Sequence, residues 1–142
     1  MKRIIALITL VSMLTLALVG CGRLDVEDSV KALKAKGLRE GATYESDEDL
    51  ELACELFNAE IEYMGGDFTV RIDGYTSLVA DIDFTKTVEF ITFSSKREAE
   101  AYVELYIKSR DKYSDSRIAQ DGAVVIVTNL ELVEDVLDVE FR

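Results

Sequence analysis

Apolar positions along the chain recur with two periods, and the alternation of those periods outlines the elements. Val26, Val30 and Leu33 lie at helical spacing within residues 26–36, with Asp25 as N-cap, Glu27 and Lys31 as an i,i+4 pair and Gly37 as the stop. Ser46-Asp47-Glu48-Asp49 opens a second helix reaching residue 59 or 63, its first-turn acids placed where the helix dipole favours them. Leu50, Ala53, Cys54, Phe57 and Ile61 share one face of it, which reads Cys54 as a small buried hydrophobe. Its neighbours Glu51 and Glu55 disfavour a thiolate, so Cys54 is not read as a reactive thiol. A third helix over 96–110 starts with the capping box Ser95/Glu98 and carries Ala99, Tyr102, Val103, Tyr106 and Ile107 as its core stripe. Asn129 caps a last helix over 130–140.

Period-two alternation marks strands at 68–72, 75–82, 87–93, 116–120 and 123–128. Two Asp-Gly pairs, Asp73-Gly74 and Asp121-Gly122, read as two-residue hairpin turns. In the third of these strands Val88, Phe90 and Thr92 face opposite to Glu89, Ile91 and Phe93. Residues 38–44 have room for a short edge strand, which is not counted among the five. The order ααβββαββα predicts an α+β fold, an antiparallel sheet of about five strands with helices packed on it, in one domain over 25–142. The aromatic residues Tyr63, Phe68, Tyr75, Phe84, Phe90, Phe93, Tyr102 and Tyr106 are assigned to the core and the strand-helix seam.

The N-terminus has a different pattern. After Lys2-Arg3, residues 4–19 carry no charge, a run shorter than the ~20 residues a spanning helix needs. The run ends Leu18-Val19-Gly20-Cys21, a tetrapeptide that resembles the lipobox of bacterial lipoproteins. The resemblance covers only this leader and concerns processing. It implies cleavage by signal peptidase II between Gly20 and Cys21 and removal of residues 1–20. It also implies a covalent diacylglyceryl lipid on Cys21, with residues 21–24 as a short tether that holds the domain on the outer face of a membrane. Each buried methylene contributes about 0.8 kcal/mol, so two or three acyl chains anchor a protein durably where one does not. With Cys21 acylated, Cys54 is alone and no intramolecular disulfide forms.

Charge narrows the chemistry. The 142 residues carry 16 Lys and Arg against 28 Asp and Glu, a formal charge of −12 that becomes −14 once Lys2 and Arg3 are removed. This balance argues against nucleic acid as a partner, because duplexes are held largely by cationic side chains on phosphates. The chain has no His, so a Ser-His-Asp or Cys-His site, His-ligated zinc and an imidazole base are excluded. G-x-S-x-G, G-x-G-x-x-G, the P-loop pattern and C-x-x-C do not occur, which leaves carboxylate chemistry.

Ten acids and no Lys or Arg lie between Glu40 and Val70. Asp47, Glu48, Asp49 and Glu51 from this stretch, with Asp81 and Asp83 from a strand end, are candidates for a surface that holds a hard cation or a basic protein. A solvated acidic face explains the same residues, and no EF-hand pattern is present. The expectation is a small lipid-anchored envelope protein acting as a non-enzymatic interaction module, with no cofactor beyond its lipid. The competing reading is a carboxylate-dependent, cation-assisted hydrolase. An interaction module should show an exposed apolar or acidic patch, and an enzyme a concave pocket with converging carboxylates of raised pKa.

Overall fold

A computed structural model describes residues 23–80, 83–110 and 115–142. The element order is α1 (Val26–Ala35), β1 (Leu38–Tyr44), α2 (Asp47–Tyr63), β2 (Ile72–Ala80), β3 (Thr87–Phe93), α3 (Lys96–Lys108), β4 (Arg117–Asp121), β5 (Val124–Thr128) and α4 (Leu132–Val136). The five strands form one antiparallel sheet in the order β1-β2-β3-β5-β4. The fold is α+β, as the alternating periods predict.

Helices cover both faces of the sheet, giving two cores. On one face Ala53 and Ile61 of α2, with Ala99, Tyr102, Val103 and Tyr106 of α3, pack on Ile72, Ile91, Phe93, Ile118, Val125 and Val127. On the other, Leu33 of α1 and Val133 of α4 pack with Leu137 on Leu78, Val88, Phe90, Ala119 and Ile126. Burial on both faces explains why the interior strand β5 reads as an unbroken run, Val124-Val125-Ile126-Val127. In β3 the predicted split holds, with Val88 and Phe90 in one core and Ile91 and Phe93 in the other.

The predicted N-caps of the first three helices form. Asp25 accepts the Asp28 N–H at 3.0 Å, Ser46 the Asp49 N–H at 3.2 Å and Ser95 the Glu98 N–H at 3.2 Å. Lys31 and Glu27 pair at 2.8 Å, and Gly37 leaves α1 at φ 96°. The Asp121-Gly122 hairpin also forms, with Gly122 at φ 61°.

Three expectations are corrected. Asp73-Gly74 makes no hairpin: Gly74 does not take a positive φ, and β2 runs straight through it, with Asp73 as the extra residue of a bulge between Ile72↔Phe93 and Gly74↔Thr92. Residues 68–71 accordingly form no strand, and the fifth strand is β1, paired with β2 on the sheet edge. Side chains replace the missing ladder. Asn58 of α2 accepts the Val70 N–H at 2.8 Å and donates to the Val70 carbonyl at 3.1 Å, Glu98 accepts the Arg71 N–H at 3.0 Å and Cys54 Sγ accepts the Ile72 N–H at 3.1 Å.

The last helix is the second correction. It spans only Leu132–Val136, and Asn129 does not cap it. Instead the Asn129 amide accepts the Thr87 N–H at 2.8 Å and donates to the Thr85 carbonyl at 2.8 Å, bracing the β2–β3 connection. Beyond Leu137 the chain has no regular secondary structure, and Arg142 exchanges two backbone hydrogen bonds with Ile118, at 2.8 and 3.0 Å, on the outer edge of β4. That tail occupies edge groups that would otherwise be open to another strand. The third correction concerns Tyr63 and Phe84, which are 69% and 72% exposed and belong to neither core.

Candidate functional site

The residues singled out by charge sit as follows. Asp47, Glu48 and Asp49 form the exposed first turn of α2, and Glu51 stands one turn further on. Asp49 is engaged locally, accepting the Ser46 hydroxyl at 2.6 Å. Asp83 lies in the connection between β2 and β3 and accepts both the hydroxyl and the N–H of Thr85, at 2.6 and 3.0 Å. The hydroxyl bond and then the backbone bond hold its carboxyl below the usual aspartate range. Asp81, Gly20 and Cys21 lie outside the described residues. Among the described residues no three Cys, Asp or Glu side chains are placed to hold a metal ion together.

Asp47 and Glu51 do meet other groups across a groove of about 530 Å³ between α2 and the start of β2, whose lining also includes Cys54, Arg71 and Asp73. Arg71 is the cation in that lining, and its Nε lies 3.5 Å from Asp73. The thiol of Cys54 is half-buried and is used to hold Ile72, so this groove offers three carboxylates against one guanidinium, which Asp73 already engages, beside a thiol with a backbone partner.

Deeper under α2 lies a carboxylate-tyrosine network that charge counting missed. Tyr75 donates to Glu89, and Tyr102 donates to Glu60 at 3.4 Å. Burial, then the negative charge and hydrogen bond of Glu89, pushes the Tyr75 hydroxyl far above its ordinary value. Burial raises Tyr106 in the same way. Tyr44 stacks on Tyr75 with centroids 5.1 Å apart, and Phe57 closes on Tyr75 and Tyr102 at 6.1 and 5.8 Å. These rings and acids tie α2 and α3 to the sheet, and the linings of the three grooves described on the surface do not include Glu60 or Glu89.

The second feature missed by sequence reasoning is on the outside of α2. Leu52 and Leu56 are 51% and 56% exposed, and with Ala59 and Tyr63 they form an apolar stripe along the solvent face. The signal was present in the sequence as a second apolar series on the same helix, hidden because the core series Leu50, Ala53, Cys54, Phe57, Ile61 accounts for the helix by itself. Seven acids and no base lie within α2.

Compared with protein-family models, curated proteins and solved structures, the chain gives no match to any of them.

Proposed function

We propose that the protein is a lipid-anchored envelope protein whose domain works as a non-enzymatic interaction module, with the outer face of α2 as its working surface. The observation that carries the reading is the exposed Leu52/Leu56/Tyr63 stripe on a helix that already buries a complete apolar face elsewhere. Apolar surface that is exposed and contiguous, rather than scattered singly, marks a contact surface.

Placement supports the same reading. Leu24, next to the anchor expected at Cys21, packs on the α1–α4 core, and its N–H donates to Asp121 at 2.6 Å. The tether therefore leaves from the sheet face opposite α2. A domain held by that tether presents α2 away from its point of attachment, toward partners in the aqueous phase. The −14 charge of the processed chain adds repulsion from anionic lipid and attraction to basic proteins.

Anchoring is tested with Cys21→Ser in the native host. The wild-type chain should partition with membranes and carry the mass of a chain beginning at an acylated Cys21, and the variant should lose both. A variant that keeps its membrane fraction and the wild-type mass contradicts the anchor.

A further inference from the structure

We infer that the outer face of α2 docks one amphipathic helix of a different protein, with an apolar seam flanked by Lys or Arg. This inference rests on the interaction-module reading and names the partner's chemistry.

Leu52, Leu56, Ala59 and Tyr63 follow steps of four, three and four residues, the narrow a/d seam by which one helix packs along another rather than the broader stripe that faces a globular core. The core stripe of α2 points to the opposite side, so the helix carries two apolar faces and the fold uses one. At 1.5 Å per residue the seam is about 17 Å long, which fits a partner helix of three to four turns.

Charge then selects the occupant. Glu48, Glu55 and Glu62 flank the seam on one side at intervals of seven residues, the places from which coiled-coil flanking charges choose a partner. Asp49 falls in line with the seam itself, seven residues before Leu56, and Glu60 on the other side accepts the Tyr102 hydroxyl. A second copy of this helix brings acids against acids in parallel and in antiparallel alignment, so self-association along the seam is opposed by its own rim. A partner with Lys or Arg at its flanking positions gains at Glu48, Glu55 and Glu62, and α2 contains no base to compete. An anionic bilayer is disfavoured by the same rim.

The test uses the detergent-solubilised full chain and three labelled synthetic peptides of equal length. One has Leu at the seam and Lys at the flanks, one has Leu at the seam and Glu at the flanks, and one is a scramble of the first. Anisotropy should show saturable binding of the Lys-flanked helix alone, weakening with added salt. Leu52→Glu with Leu56→Glu should weaken it about tenfold or more, as expected from losing two leucine contacts, with circular dichroism and thermal midpoint unchanged. Glu55→Lys with Glu62→Lys should transfer preference to the Glu-flanked peptide.

Equal binding of the scramble overturns the inference, because simple charge attraction then explains it. Binding of neither helix overturns it, as does a concentration-dependent dimer that Leu56→Glu abolishes. A photo-cross-linker at Leu56 in intact envelopes separates the two levels of the account. An adduct without peptide binding removes the basic-helix inference and leaves the interaction module standing, and absence of adducts from every exposed α2 position removes both.

Discussion

Two helices lie side by side on the same sheet face and do different things with their outer surfaces. In α3 Ala99, Tyr102, Val103 and Tyr106 are buried, Ala101, Leu105 and Ile107 are half-buried, and the exposed positions carry only charges, of both signs, including a Lys96–Glu100 pair at 3.5 Å. In α2 the exposed positions carry only acids, interrupted by Leu52, Leu56, Ala59 and Tyr63. Folding explains α3 completely, because an amphipathic helix needs one apolar face and a solvated remainder. It explains only half of α2. The unexplained half is where recognition is to be sought.

The comparison breaks most visibly in stability. Tyr102 sits at the centre of the α2–α3 seam, with ring centroids of Phe93, Phe57 and Tyr106 at 5.2, 5.8 and 6.1 Å. Tyr102→Ala should cost about 3–5 kcal/mol in urea unfolding, as large aromatic truncations in cores do. Leu56→Ala on the outside of α2 should stay within about 0.5 kcal/mol, the range of surface changes that serve no packing role. If Leu56→Ala destabilised the isolated protein as much as Tyr102→Ala, its side chain would belong to the fold and the contrast would vanish.

A smaller effect sharpens how α2 is held. Asn58 satisfies both backbone groups of buried Val70, so Asn58→Ala leaves a donor and an acceptor without those partners and should cost about 2 kcal/mol. Faster amide exchange at Val70 in that variant would localise the loss.

The smallest expected change is alkaline. Tyr75 and Tyr106 have hydroxyls raised by burial, so the folded chain keeps protons that the unfolded chain releases near pH 10. Stability is therefore intact below that pH and falls as pH rises above it. Denaturation midpoints measured from neutral to alkaline pH should show this decline, and Tyr75→Phe with Tyr106→Phe should flatten it.

The sequence made most of the scaffold legible through signals that act locally. Capping at Ser46 and Ser95 and the turn at Gly122 need only nearby residues. Asp73-Gly74 carries the same letters as Asp121-Gly122, yet only the latter pair turns. What differs is tertiary: β2 spans nine residues between β1 and β3, while the preceding segment finds its backbone partners in Asn58, Cys54 and Glu98. No local signal at Asp73 reports those partners. Asn129 has the same character, since its amide bonds residues more than forty positions earlier and not the helix that follows it.

The candidate surface was legible only in part. Acidity was visible at once in the stretch from Glu40 to Val70, but the residues that set α2 apart are apolar, and an apolar residue in a helix is first credited to a core. Tyr63 shows the difficulty, since it sits two residues beyond buried Ile61 and yet points outward. Only burial separates the two series.

The central claim is that α2 works through its outer face, and site-specific photo-cross-linking in intact envelopes tests it most directly. A photoreactive residue at Leu56 should yield a discrete protein adduct, whereas the same residue at exposed Glu104 on α3 should yield none. Adducts from Glu104 with none from Leu56 would contradict the account.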